Sequence, residues 1–294
     1  MSKINMGNFF EDFSIGQKIV HPLPRTISDG DVSLYIAFTG SRFALHSSDT
    51  IAKEMGYEKR PIDDMLMFHL TFGKSVQDVS LNAIANLGYA EMSFPNSVYV
   101  GDTVSMTSTV IGLKENSNGK SGVVYVHSIG VNQNCEEVLN FKRWVMVHKK
   151  DQTTLSEINE VPTFAKTTPI ADVINIPTIK TVDTDASGGK YFFEDYVAGE
   201  RLNHPEGITI DNSDHTLATK LYQNNAKVHF NDHMMKSTPM GQRLMYGGII
   251  ISMARAISFN GLQNAQWMYA INSGAHANPT YAGDTIYAYT EIVE

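Results

Sequence analysis

The sequence predicts an α+β protein in which one domain occurs twice, and three observations carry that prediction. The chain repeats itself, each copy holds one long helical segment that is apolar almost all round, and alternating strand segments follow that helix in the first copy. The repeat is read from FFEDFSIGQ at 9–17, which returns as FFEDYVAGE at 192–200, 183 residues on. At the same offset His21-Pro22 returns as His204-Pro205, Thr26-Ile27 as Thr209-Ile210 and His46 as His229. Farther along, GDT at 101–103 returns at 283–285, an offset shorter by one deletion. The first copy therefore spans 1–150 and the second 191–294. Between them, 151–190 is a polar, Thr- and Pro-bearing stretch without a sustained period, which reads as a linker. Nothing in the second copy matches 114–150 of the first, so its C-terminal strands are expected to be cut short.

In chain order, Ser28-Asp29-Gly30-Asp31 has the spacing of a capping box and predicts a helix over 32–38. Asp211-Asn212-Ser213-Asp214 makes the same prediction for 217–222. MLMFHLTFGKSV at 65–76 and GGIIISMARAISF at 247–259 predict helices buried on most sides. VYVGDTVSMTSTVIGL at 98–113 alternates about a Gly-Asp turn, and ENSNGKSG at 115–122 is loop. VVYVHSIGVNQN and VLNFKRWVMVHK then alternate around a turn at Cys135-Glu136-Glu137. A curved antiparallel sheet wrapped around a helix is the hotdog fold, and two copies in one chain predict a double hotdog whose sheets pair side by side.

Composition narrows the function classes. At 294 residues with 42% apolar residues the chain can bury a substantial core. A formal charge of −8 argues against a nucleic-acid partner, which normally calls for a basic face. Cys135 is the lone cysteine, so no intrachain disulfide framework exists, and a reducing cytoplasm is expected. No apolar run is long enough to suggest a membrane partner. His229 and His233 stand at i, i+4 without a third clustered ligand, so no metal is expected.

Longer words are more specific than these patterns. GSRFALHSSD, SLNAIANLGYAE, GLKENSNGKSGVVYV, RWVMVHKK, LYQNNAKVHFN, YGGIIISMARA and AISFNGL, in this order, closely resemble the mesaconyl-CoA hydratases, also called β-methylmalyl-CoA dehydratases. These sit among the MaoC-like, (R)-specific enoyl-CoA hydratases, whose Gly-Asp-x-Asn-Pro-x-His stretch places Asp and His against a thioester. In that frame His229 takes the His place and Asn224 the Asp place, while the first copy holds His46 and Ser41 there. The resemblance implies reversible addition of water to mesaconyl-CoA, a branched enoyl thioester with a free carboxylate. It also implies a small-molecule acyl-CoA partner, no cofactor beyond the CoA of the substrate, and catalysis by His229, Asn224 and the Gly248 amide. Tyr222, Gln223, Val228, Tyr246 and Gly247 are then expected to line the substrate. Association with further copies of the chain stays open.

The chemistry these residues support is general. Hydration needs an oriented water, a proton for the α-carbon and donors for the enolate oxygen. A histidine moves protons near neutrality, and unsatisfied amides at a helix start serve an oxyanion. An asparagine can orient water but cannot take its proton, which leaves the acid–base work to His229. A substrate carboxylate calls for a guanidinium. Arg42, Arg60, Arg243 and Arg255 stand near the relevant segments, with Arg42 and Arg60 carried as the candidates. Lys142, Arg143, Lys149 and Lys150 are candidates for the CoA phosphates. Phe43 beside His46 marks the first copy as a degenerate half with a structural or CoA-holding part. Gly247-Gly248 could equally serve tight helix packing, and His21 and His204 are expected to be structural. Two other functions remain: a non-catalytic acyl-CoA-binding double hotdog, and a hotdog thioesterase, whose carboxylate is missing before Asp232.

Overall fold

The structure is a computed structural model and describes residues 3–153, 155–169, 174–179 and 182–293. Both capping boxes form. Ser28 accepts from the Asp31 amide and opens α1 (Asp29–Thr39), while Asp211 opens the longer-than-expected counterpart Asn212–Leu221. After α1 come two short helices, α2 (Ala44–Ser47) and α3 (Asp49–Glu54), and then α4 (Asp64–Phe72). Every residue of α4 from Met65 to Phe72 is buried, as its all-round apolar sequence requires. The regular helix ends earlier than its apolar run, because 73–80 tighten into a 3₁₀ turn and then widen into a π turn.

Around α4 the first copy folds β1 (Lys18–Thr26), β2 (Ala83–Ser93), β3 (Thr103–Glu115), β4 (Ser121–Val131) and β5 (Glu137–His148) into one antiparallel sheet. The spatial order is β1-β3-β4-β5-β2, and β6 (Asn159–Glu160) from the connecting stretch pairs with β3. The alternating segments became strands, except that 98–102 turn through a loop before β3 begins. The connecting stretch also holds the one-turn helix α5 (Thr184–Ser187).

The second copy repeats the plan with α6 (Asn212–Leu221), α7 (Lys227–Phe230), α8 (Asp232–Lys236) and α9 (Gly247–Ser258). Its strands are short: β7 (Arg201–Asn203), β8 (Ile208–Thr209), β9 (Ala270–Ala275), β10 (Thr285–Ile286) and β11 (Tyr289–Glu291). β10 pairs with β8 and β11 with β7, but among the described residues nothing stands in the places of β4 and β5. The copies join where β9 pairs antiparallel with β2, Tyr89 opposite Gly274 and Gly88 opposite Ala275. One apolar core runs through both, from Phe68, Phe72 and Phe141 to Tyr222, Met245 and Met253. The fold is a double hotdog in which β2 lies between β5 of its own copy and β9 of the other.

Candidate active site

The two copies do not repeat their sites. In the first copy His46 is buried, with Nδ1 3.3 Å from the Pro61 carbonyl and Nε2 3.0 Å from the Gln266 carbonyl, so both ring nitrogens are engaged. Phe43 fills the space beside it, packed edge-on against Phe259 and under the Arg255 guanidinium. The void left there is about 10 Å³, room for no more than one water. In the second copy the matching region opens into a cavity of about 530 Å³.

His229 lines that cavity from α7. Its Nδ1 donates to the Leu244 carbonyl at 2.7 Å, and the Leu244 amide donates in turn to the Val228 carbonyl. Because a carbonyl only accepts, the ring carries its proton on Nδ1 and leaves the Nε2 lone pair free. Burial pushes the imidazole down to about 4, only partly offset by the Leu244 carbonyl, so it is neutral at pH 7.

Asn224 lines the same cavity, is buried, and its Oδ1 has no partner. The backbone that aims it is unusual: Gln223 has φ 55°, a left-handed conformation that side-chain-bearing residues rarely adopt. That turn is clamped by the first copy. Lys74 donates to Gln223 Oε1 at 2.5 Å, Asn225 donates to Gln77 Oε1 at 3.0 Å, and Lys227 donates to Asn82 Oδ1 at 2.8 Å. Arg25 donates to the Leu221 carbonyl from the other side. Gly73 lets the two backbones meet, since a Cβ there would stand 1.6 Å from the Tyr222 carbonyl oxygen.

Helix α9 opens at the cavity without a side-chain cap from Tyr246, so its first amides are unclaimed by a capping group. Gly247 lines the cavity, and the His276 ring lies where its Cβ would be, 2.4 Å away. Gly248 is one residue deeper and does not line the cavity, because the Tyr246 ring occupies the space beside it. Tyr246 itself lines the cavity, stacked on Phe72 at 5.5 Å and set edge-on to His229 at 5.9 Å. Its hydroxyl meets His69 Nδ1 at 3.2 Å, and His69 Nε2 meets Ser252 at 2.7 Å, tying α4 to α9.

Several expected substrate contacts lie elsewhere. Tyr222 points into the core against His69 and Phe38, and Gln223 is exposed and held by Lys74. Arg42 is exposed over Phe259, and Arg60 pairs with Asp29 and Asp49 at the surface. None of these four lines the cavity, because other partners hold each side chain away from it. Arg243 is tied to Asn212 and Thr216, and Arg255 to Gln266. Val228 does line the cavity. Outside the cavity, His21 bridges Asp78 and Ser108, and His204 bridges Asn260 and Thr290.

Among the cavity-lining residues that the sequence did not mark as catalytic or acyl-binding are His276 and Arg143. His276 sits edge-on to Tyr89 at 5.4 Å with Nε2 unpartnered, and burial lowers its pKa. In the repeat frame it replaces Phe94, a signal available from the chain alone. Arg143 comes from β5 of the first copy, fully buried, and only the offset between copies hides it, since no second-copy residue corresponds to it. No Asp or Glu lines the cavity. Among the described residues no three metal-ligating side chains cluster, and no helix is long and apolar enough to cross a membrane.

Comparison with known proteins agrees with this fold. A β-methylmalyl-CoA dehydratase of Chloroflexus aurantiacus is 53% identical over 99% of this chain and 84% of its own length. A mesaconyl-CoA hydratase of Cereibacter sphaeroides is 48% identical over 99% of this chain and 85% of its own. A crystal structure of a MaoC-domain dehydratase from Chloroflexus aurantiacus superposes with a TM-score of 0.96 at 52% identity, covering all of this chain and 84% of that one. A double-hotdog protein from Mycobacterium tuberculosis shares the fold at a TM-score of 0.80 and 23% identity, covering 96% of this chain and 84% of that one. The family profile described as mesaconyl-CoA hydratase matches residues 2–294, and the chain belongs to that family.

Proposed function

We propose that this protein adds water reversibly across the double bond of mesaconyl-CoA to give β-methylmalyl-CoA. The observation that carries the reading is the pairing of a neutral His229, its Nε2 free, with the orphaned amide oxygen of Asn224 in one cavity. The family and its named relatives supply the substrate.

In this reading Asn224 Oδ1 accepts from the attacking water and orients it. His229 Nε2 takes the water's proton as the oxygen bonds to the β-carbon. The π electrons move toward the thioester oxygen, where the first amides of α9 stabilise the enolate. Gly247 meets the substrate side and Gly248 stands behind it. His229 then returns a proton to the α-carbon, and the double bond is consumed without a net proton change. A histidine held near pKa 4 is a weak base in its ground state but a strong acid once charged, which suits protonation of the α-carbon. An amide in the place of an aspartate spares a carboxylate-bearing substrate a like charge. The absence of Asp and Glu from the lining also disfavours a carboxylate-dependent thioesterase.

The test is mesaconyl-CoA hydration followed at the enoyl thioester absorbance, with His229→Ala and His46→Ala alongside. Turnover lost in His229→Ala and kept in His46→Ala supports the reading. Wild-type protein that binds CoA esters yet leaves the double bond intact sinks it in favour of an acyl-CoA-binding module.

A further inference from the structure

Natural proteins leave few buried polar atoms without a hydrogen bond, so a local concentration of such atoms marks a place built for something else. Among the described residues, twelve buried side-chain nitrogens and oxygens lack a partner, and seven belong to residues lining the cavity that holds His229. They are both amide atoms of Asn86, the hydroxyl of Tyr89, Nε and Nη1 of Arg143, Oδ1 of Asn224 and Nε2 of His276. Asn224 and His276 belong to the second copy. The other three belong to strands β2 and β5 of the first copy, where Tyr89 stands directly opposite Arg143 in the ladder.

Arg143 is the centre of this group. Its guanidinium is fully buried, lies 4.4 Å over the Phe72 ring, and spends Nη2 on Ser75 at 2.8 Å. No aspartate or glutamate forms an ion pair with it among the described residues, and none lines the cavity. A buried cation without a counter-ion is costly and is retained where a negative ligand arrives. Desolvation brings it down to about 10, which leaves it charged at neutral pH. The Tyr89 and Tyr246 hydroxyls are near enough to feel that charge; burial keeps both neutral, and while Tyr246 is engaged with His69, the Tyr89 hydroxyl has no partner.

We propose that Arg143, with Tyr89 and Asn86, forms the subsite that receives the free carboxylate of the acyl group, so that the first copy supplies substrate selection to the second copy's catalytic residues. The inference rests on the enoyl thioester reading of the cavity and deepens it. It also gives the first copy, whose own site is filled by Phe43, a part in recognition. The ligand class is an acyl-CoA ending in a carboxylate, and a neutral acyl chain leaves Arg143, Tyr89 and Asn86 unsatisfied.

Binding of saturated esters tests this without requiring turnover, so its failure is separable from failure of the hydratase reading. Affinities for succinyl-CoA and butyryl-CoA are measured by calorimetry on the wild-type chain, Arg143→Met, Tyr89→Phe and the surface control Arg42→Met. The wild type and Arg42→Met are expected to prefer succinyl-CoA by about 10- to 100-fold, the range of a charge-assisted pair. In Arg143→Met the ratio falls to near one, and in Tyr89→Phe it falls part of the way. If Arg143→Met does not fold, Arg143→Lys and Tyr89→Phe carry the test, because the first keeps the charge and loses the fork. A wild type without preference, or variants that weaken both esters in parallel at a constant ratio, overturns the proposal.

Discussion

At the scale of single residues, protonation state decides what His229 can do. Its Nδ1 proton is fixed on the Leu244 carbonyl, and burial holds the ring near 4, so the base form persists well below neutrality. The acid limb of kcat/KM is therefore expected below pH 5, where an ordinary histidine would give it near 6.5. A limb centred between 6 and 7 would show that the ring is not desolvated in the working enzyme. His229→Ala should lower kcat by about 10²–10⁴-fold with a smaller effect on KM. Asn224→Asp is instructive in the other direction. It restores the aspartate of related hydratases but sets a carboxylate beside the substrate's own, so KM for mesaconyl-CoA should rise while a neutral enoyl-CoA is less affected. Equal effects on both substrates would remove the electrostatic account of Asn224.

Among elements, what could be read from the chain depended on how much side-chain period each one carries. β4 and β5 alternate visibly and α1 and α6 announce themselves with capping boxes, so these were legible. β2 and β9 were not. Their sequences, AIANLGYAEMS and AINSGA, are rich in Ala, Gly and Asn, residues with weak strand preference, and β2 is covered on both edges. Small residues are needed there, since a Cβ at Gly88 would stand 2.5 Å from the Trp144 ring. The site shared this limit. Repeat arithmetic found His229, and family frame found Asn224, but Arg143 reaches the cavity from β5 of the first copy and His276 from beyond β9, where β9 pairs with β2, and that convergence is set by tertiary pairing and not by local period. The segment 222–227 shows the same dependence in its clamp on 73–82. Gly73→Ala should displace the Tyr222 carbonyl, cost about 1–3 kcal/mol of stability by overpacking, and reduce turnover although it touches no substrate. Thermal unfolding together with kcat checks this, and an unchanged Tm with full activity would show that the 222–227 turn is not held from the first copy.

For the whole molecule, joining the copies has placed histidines where water is excluded, and that links stability to pH. Burial lowers His69 to about 3, and His215 and His229 to about 4, from an ordinary value near 6.5. His69 contacts Tyr246 and Ser252 across the join, His229 lines a cavity to which both copies contribute, and His215 is buried close enough to His229 to feel its charge. The unfolded chain protonates all three as pH falls through 6.5, while the folded chain does so only near 4 for His215 and His229 and near 3 for His69. The unfolded state thus binds more protons in that window, and the folded state loses stability as pH drops. The slope should approach about 1.4 kcal/mol per pH unit for each histidine below 6.5 and level off once the folded form also protonates. Between pH 6.5 and 5.5 few carboxylates titrate, so this interval isolates the histidines. Denaturant midpoints at pH 7.5, 6.5 and 5.5 should fall modestly from the first to the second, where the unfolded histidines are half protonated, and about three times as far from the second to the third. A flat series across all three would mean that these rings charge without cost in the folded state, and with it would go the argument that His229 works as a desolvated base.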